Sequence, residues 1–525
     1  MKPYDPEQFR KKRVPWFSGV TLSLVSMFVL ACMLVVWNKF PNNEATGSDL
    51  TIYCAAGIRL PVEEAASAFE KEFGISISID YDSSGALEGK LQLDKDSNKS
   101  RADLYVPADL SFSQRAQKKG LTAESIPVAS FGLVLASFSE SNRSFERLDD
   151  LLASGTPFST CNVAAGVGKK TKETLSAHGK WEAFDNAKKT TFPRVTDAAA
   201  AIKTSEVVQA GFIWDTTAKQ FGLRIHELPE LREARSAITA NVTTSSEKPT
   251  LALRFARYLA AASKGQPYFA KHHFSGVKGD PWEKNPEIII YCGGVNRQAV
   301  IQTLRDFEKR EGCRILEQFA GCGALVANIR TIGESQAKAA MPDAFLTCDS
   351  SYLEKVEGLF GNARDVSGTD VVMLVRKGNP KNLRTLADLG KEDISLGTTD
   401  PTVSTLGDLS WQLLEKAGVA EAIKANDNWE VTTPTAHELI LQMESHPKLD
   451  VALAYLANCQ NLSQGAFETI VIDDPLAKAT QNIAIAKTTR FPQLSGRLVE
   501  ALTSATSRER FIHSGFEWKA TETVD

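Results

Sequence analysis

The stretch "TIYCAAGIRLPVEEAASAFEKEFG" (Thr51–Gly74) reads as a strand, a tight loop of small residues and a helix. The chain says nearly the same thing again in "IIYCGGVNRQAVIQTLRDFEKREG" (Ile289–Gly312). Laid together without gaps, Tyr53 falls on Tyr291, Cys54 on Cys292, Arg59 on Arg297, Phe69 on Phe307 and Gly74 on Gly312. The same offset brings "SSGAL" (Ser83–Leu87) onto "GCGAL" (Gly321–Leu325). Farther on, "ADLYVPAD" (Ala102–Asp109) matches "PDAFLTCD" (Pro342–Asp349). Order kept over two whole halves means a duplicated domain, not a short-period solenoid. We place the domains at 50–283 and 286–525. The join "KGDPWEKNPE" (Lys278–Glu287) is polar with two prolines and reads as a linker.

Within each half, apolar runs alternate with helical patterns. "LTIYCAA", "ISISIDY", "ADLYVPA", "FGLVLAS" and "AGFIWD" read as strands. "PVEEAASAFEKEF" has apolar residues at helical spacing behind a leading proline, which the first helical turn tolerates. This alternation predicts an α/β fold on largely parallel sheets. Ligands of such folds sit beyond the carboxyl ends of the strands.

Three loops of the first half fall there: "CAAGIR" (Cys54–Arg59), "YDSSGAL" (Tyr81–Leu87) and "VPAD" (Val106–Asp109). The first two run straight into helices, whose N-termini offer unpaired N–H groups and a partial positive charge. Small residues let an anion approach the backbone, and Ser83 and Ser84 add hydroxyls. Helix capping is the plainer role of either serine. Arg59 and Arg297 stand just after the first loop of each half, where an arginine could hold a carboxylate or phosphate in bidentate fashion or lie solvated at a helix start. Cys292, Cys322 and Cys348 fall in three cleft loops of the second half. They would bind a soft metal ion if they faced one another, and are otherwise small buried residues.

The N-terminus departs from the rest. "RKKRV" (Arg10–Val14) is cationic, and "WFSGVTLSLVSMFVLACMLVVW" (Trp16–Trp37) carries no charge. About 20 apolar residues span a bilayer as a helix, tryptophans suit its interfaces, and a basic flank stays in the cytoplasm. We expect a cytoplasmic segment at 1–15, one transmembrane helix at 16–37, a linker at 38–49, and the remainder outside the cytoplasm at the inner membrane. A cleaved signal peptide and lipidation at Cys32 are the alternatives. Seven cysteines follow the anchor, an odd number with no CxxC and no disulfide framework. The net charge of −4 calls for no nucleic acid.

The run from "LTIYCAAG" to "ADLYVPAD" resembles the extracytoplasmic molybdate-binding components of ABC transporters. The likeness continues through "VAAGVGKKTKETLSAHGKW" (Val163–Trp181), "AAAAIKTSEVVQAGFIWDTTA" (Ala198–Ala218) and "RFARYLAAASKGQPYFAKHHF" (Arg254–Phe274). The second half follows likewise to "ALTSATSRERFIHSGFEW" (Ala501–Trp518). The resemblance implies two tandem type II periplasmic-binding-protein domains, each of two α/β lobes with a ligand cleft between. It also implies a small oxyanion held by neutral donors, closure by hinge motion, and ABC permease and ATPase subunits as partners.

Carried onto this sequence, the binding positions are Ala56, Gly57, Ser83 or Ser84, Ala165, Gly166 and Trp214 in the first half. In the second half they are Gly294, Cys322, Ser404, Thr405 and Tyr455. The family's first-loop serine is missing at Ala56–Gly57, Trp214 replaces its tyrosine, and Cys322 replaces its second serine. These departures leave the anion open between a molybdate-like oxyanion, a carboxylate and a phosphate. Trp214 and Tyr455 could equally be packing aromatics. The chain reads as a membrane-anchored receptor feeding an ABC importer, with a membrane-tethered sensor or scaffold as the alternative. No nucleophile elbow, HExxH or Walker loop marks an enzyme, and no cofactor or resident metal is expected.

Overall fold

The computed structural model describes residues 48–204, 206–335, 340–462 and 465–521. The expected anchor at 16–37 and its cytoplasmic flank lie outside these. Among the described residues no helix is long and apolar enough to cross a membrane.

Among the described residues the first half holds nine strands: β1 (Leu50–Ala55), β2 (Ile77–Asp82), β3 (Leu104–Val106), β4 (Thr122–Ser137), β5 (Phe158–Cys161), β6 (Thr190–Phe192), β7 (Ala210–Trp214), β8 (Arg224–His226) and β9 (Arg235–Thr243). Their order is β2-β1-β3-β9-β4-β7-β5-β6, with β8 on β4. The second half holds β10 (Glu287–Gly293), β11 (Arg314–Ala320), β12 (Ala344–Leu346), β13 (Arg364–Arg376), β14 (Leu396–Thr399), β15 (Trp429–Thr433), β16 (Val451–Tyr455), β17 (Phe467–Val471), β18 (Lys478–Ile485) and β19 (Glu517–Trp518). Its order, β11-β10-β12-β18-β13-β16-β14-β15, repeats the first strand for strand.

The sheets are mixed rather than largely parallel. β1 pairs in parallel with β2 and β3, and β5 with β6 and β7. The centre is antiparallel. Residues Thr122–Gly132 of β4 pair with β9, and Leu133–Ser137 of the same strand pair with β7. One long strand thus runs from one lobe into the other, and its partner β9 runs back. A chain that crosses between lobes twice must lay its crossing strands antiparallel. The local pattern of "FGLVLAS" shows a buried strand but not the direction of its partner.

Each parallel triplet aims its carboxyl ends at the gap between its domain's lobes. The helices are amphipathic, and their apolar faces close over the sheets. In Arg59–Phe73, for instance, Val62, Ala65, Ala66 and Phe69 are buried. Gly74 ends that helix in the left-handed region (φ 67°), as Gly312 (φ 64°) ends its counterpart. Most side chains carry a Cβ that makes this conformation costly, which explains the glycine at both places.

The two halves form one compact unit from Leu50 onward. Glu311, 1% exposed, sits between Arg257 of the first domain and Arg497 of the second. Arg497 donates Nε to Oε1 (2.6 Å) and Nη2 to Oε2 (2.9 Å), and Arg257 Nη1 reaches the Glu311 carbonyl (2.5 Å) and Oε2 (3.2 Å). Arg310 grips Glu124 of the first domain with both Nε (2.7 Å) and Nη2 (2.9 Å). The join also makes contacts of its own. Asp280 is buried and accepts the N–H groups of Gln493 and Leu494 (2.8 Å each), which open the Pro492–Leu502 helix of the second domain. Trp282 stacks edge-on against Tyr258. Asp280 thus caps a helix of the second domain.

Burial raises the Glu311 pKa, but Arg497 and Arg257 more than offset this and hold it below the ordinary carboxylate range. A carboxylate depressed in the folded state contributes stability that is complete above its ordinary value and is lost as pH falls through the folded one. Urea unfolding of the 48–525 chain is expected to show this loss below about pH 4. Glu311→Ala, which strands two buried guanidiniums, is expected to cost about 3–5 kcal/mol. Removing the exposed Glu63, which pairs with Arg59 on one helix, is expected to cost less than about 1 kcal/mol.

Candidate anion site

In the first domain the strand ends of both lobes enclose one small pocket. Its walls are Ala55, Ala56 and Gly57 after β1, Asp82, Ser83 and Ser84 after β2, and Ala108 after β3. From the other lobe come Ala165, Gly166 and Val167 after β5, Arg194 and Val195 after β6, and Trp214 at the end of β7. The cavity measures about 20 Å3. A single ordered water needs about 10–15 Å3, and drug-sized ligands occupy about 300–1,000 Å3. The space therefore suits a small inorganic ion.

Three helical N-termini with small-residue loops meet at this pocket, beside the start of the Val195–Thr204 helix, whose Val195 also lines it. They belong to the 3-10 turn Ala56–Ile58, which leads into Arg59–Phe73, and to the helices Ser84–Asp96 and Gly166–Ala177. Their first turns carry N–H groups that no helical carbonyl can reach. Neither Ala55 nor Ala165 caps with a side chain, so two of the three ends are left without a side-chain cap. Ser83 does cap, accepting the Ala86 N–H at 3.4 Å. Ser84 is buried, and its Oγ accepts the Ala108 N–H at 3.0 Å. That leaves the Ser84 hydroxyl hydrogen available to donate.

Gly85 joins the lobes directly. Its N–H donates to the Ala164 carbonyl at 2.9 Å, and a Cβ at Gly85 would stand 2.4 Å from that oxygen. Gly57 is close-packed too, since a Cβ there would meet Val195 Cγ1 at 2.9 Å and Trp214 Cδ1 at 3.7 Å. Trp214 is buried and packs on Phe131, centroids 4.3 Å apart.

The structure thus gathers Ala56, Gly57, Ser83, Ser84, Ala165, Gly166 and Trp214 around one space. Arg59 does not join them. It is exposed, pairs with Glu63 at 3.0 Å and lies 5.0 Å above the Tyr81 ring. Arg297 repeats this over Phe319 at 5.2 Å. Each guanidinium stacks on the aromatic of the neighbouring strand instead of turning to an anion. Glu63, four residues on, was a readable signal for that outcome. Arg194 was missed. It is the one cation among the residues lining the pocket, and it is also bound to Asp197 at 2.9 Å. Its counterpart in the second half is Thr435, so the repeat gave no sign of it.

The second domain builds the same frame with other contents. Cys322, at the start of the Cys322–Glu334 helix, accepts the Cys348 N–H at 3.0 Å, as Ser84 accepts that of Ala108. The two sulfurs stand 3.0 Å apart. Ser404 precedes and Thr405 opens the helix of the facing lobe, and Tyr455 ends β16; all three are buried. Among the described residues the Tyr455 hydroxyl meets no hydrogen-bond partner, and the Thr405 hydroxyl lies against the Cys322 and Cys348 sulfurs. Burial pushes the Tyr455 phenol well above its ordinary value, so it stays a hydroxyl. Gly294 is half-buried, and Ala320 O lies 3.7 Å from its Cβ position. The soft-metal cluster does not form. Cys292 Sγ turns to the Gly293 carbonyl, and among the described residues no three His, Cys, Asp or Glu side chains could hold a metal ion.

The sequence model of the bacterial extracellular solute-binding proteins matches residues 50–275 and again 288–517. The chain belongs to that family. It carries the solute-binding domain twice, each a type II periplasmic-binding fold of two lobes. Among its relatives is the molybdate-binding protein ModA of Mycobacterium tuberculosis, 22% identical over 247 residues, covering 45% of this chain and 86% of that protein. Solved structures similar to one of the two solute-binding domains include the periplasmic molybdate-binding protein of Azotobacter vinelandii (16% identity, 44% of this chain and 100% of that one, TM-score 0.37). Others are the sulfate-binding protein SubI of M. tuberculosis (13%, 44% and 86%, 0.36) and iron-bound HitA of Pseudomonas aeruginosa (18%, 45% and 89%, 0.38).

Ser84→Ala leaves the buried Ala108 N–H without an acceptor and is expected to cost about 1–3 kcal/mol in urea unfolding. Ser84→Cys keeps an acceptor, as Cys322 does in the second domain, and is expected to cost less.

Proposed function

We propose that the first domain is an oxyanion receptor and that the chain presents it outside the cytoplasm. The observation that carries this reading is the meeting of three helical N-termini around a cavity sized for a small ion, two of them uncapped by side chains. Such ends bind anions through N–H groups and the helix dipole. The Ser84 hydroxyl adds a neutral donor, and Arg194 adds positive charge at the wall. Among its described lining residues the pocket has no second cation to match a bulky carboxylate, which favours a tetrahedral oxyanion of the molybdate or tungstate kind. The low-identity relatives named for molybdate support that choice over sulfate.

The uncharged stretch at 16–37 supports tethering to the inner membrane, with the body of the chain in the periplasm or outside the cell. The family supports hand-over to an ABC permease and its ATPase. A receptor of this kind is not an enzyme. A second reading, a membrane-tethered sensor or scaffold, draws on the unlike contents of the two clefts.

The test is a thermal-shift screen of residues 45–525 with molybdate, tungstate, sulfate, phosphate, small carboxylates and soft metal ions. Ligand at about 100 times its Kd stabilises by about 2.7 kcal/mol, a readable rise in Tm. Molybdate or tungstate is expected to raise Tm, Arg194→Gln to shrink the rise, and Arg59→Ala to leave it unchanged. A folded chain that responds to none of these ligands would move the assignment to the sensor or scaffold.

A further inference from the structure

Duplicated domains place the same backbone around two different sets of side chains, so each difference has a built-in control. Ala55 and Ala108 of the first domain correspond to Gly293 and Cys348 of the second. A Cβ at Gly293 would lie 2.3 Å from Cys348 Sγ and 3.0 Å from Cys322 Sγ. One position has lost a methyl where the facing one has gained a sulfur. The second cleft is shaped to seat the Cys348 thiol against Cys322, and Cys322 in turn stands where the first domain has Ser84.

We propose that Cys322 and Cys348 are a redox-active pair that forms a reversible disulfide in the second cleft. Their separation decides between disulfide and metal site. Two thiolates on one zinc ion, at about 2.3 Å each in a tetrahedron, stand about 3.8 Å apart. The sulfurs here are 3.0 Å apart, closer than a shared ion allows. A disulfide needs a further approach of about 1 Å.

The surroundings divide the roles. The Cys322 thiol donates to Cys348 Sγ, and this bond holds Cys348 below the ordinary thiol range although burial opposes it. Cys348 is the nucleophile, and Cys322, at the helix start, is the resolving thiol. Thr405 and Tyr455 of the other lobe are buried over the pair, so lobe opening admits the oxidant.

The oxidant is a small disulfide such as glutathione disulfide. Cys348 thiolate attacks one of its sulfurs, forms a mixed disulfide and expels a glutathione thiolate. Cys322 then loses its proton and attacks Cys348 Sγ. The mixed disulfide breaks, and the second glutathione leaves with that proton as a thiol. One protein thiolate and one protein thiol are thereby oxidised by two electrons, and glutathione disulfide is reduced by the same two.

The inference stands on the second cleft alone, so it survives or fails independently of oxyanion binding in the first. The full chain in detergent is equilibrated over a range of reduced-to-oxidised glutathione ratios, quenched with acid, denatured, alkylated, digested and weighed. The expected product joins the Cys322 and Cys348 peptides, lighter by two hydrogens than their sum, and dithiothreitol restores both thiols. Cys54, Cys161, Cys292, Cys313 and Cys459 are expected to take the alkylating agent. Cys322→Ser gives the second cleft the first domain's residue, and is expected to trap glutathione on Cys348. Cys348→Ser is expected to leave Cys322 unmodified. Full alkylation of both cysteines at every ratio, or a disulfide joining any other pair, would overturn the proposal.

Discussion

Each half of this chain drives helical N-termini into the gap between two lobes, and everything at the gap answers to their unpaired N–H groups. Such groups are costly to bury without partners. The protein meets that constraint twice, in different ways. In the first domain the loops are rich in alanine, glycine and serine, and a small cavity is left between the lobes. In the second, two thiols, a threonine and a tyrosine converge on the same place. The shared frame shows in paired details. Ser84 and Cys322 each accept one N–H from the third loop, and Arg59 and Arg297 each stack on the next strand's aromatic.

The domains also answer to each other. A carboxylate at 1% exposure is tolerable only because two guanidiniums surround it. Glu311 takes one from each domain, which makes the tandem a single body instead of two receptors on a string. The contacts involve the C-terminal end of Arg297–Glu311 and the helices Pro249–Ala260 and Pro492–Leu502, none of which lines the first domain's pocket.

Much of this was legible in the sequence because duplication supplies an alignment within one chain. The small-residue loops and Ser84 follow from strand ends and repeat order, whereas Ala165, Gly166, Trp214 and Tyr455 follow from the resemblance to the molybdate-binding components. What stayed hidden depends on contacts between segments far apart in sequence. β9 is a crossing strand whose partner is set by the lobe arrangement, and its stretch "RSAITANVT" was not read as a strand at all. Arg194 enters the pocket from the start of a helix, at a place where the second half has threonine. Asp280 looks like linker until the helix it caps is seen. The exchange of Ala55 and Ala108 for Gly293 and Cys348 shows its meaning only when the two loops touch.

Two equal frames carry unlike side chains, and we propose that only the first binds an anion. Isothermal titration of molybdate into residues 45–525 tests it most directly. The expected result is one equivalent bound per chain, lost in Gly57→Val, whose side chain would fill the space before Val195 and Trp214, and kept in Cys322→Ser. Two equivalents per chain, or one that survives Gly57→Val, would show that the first cleft is not the sole anion site.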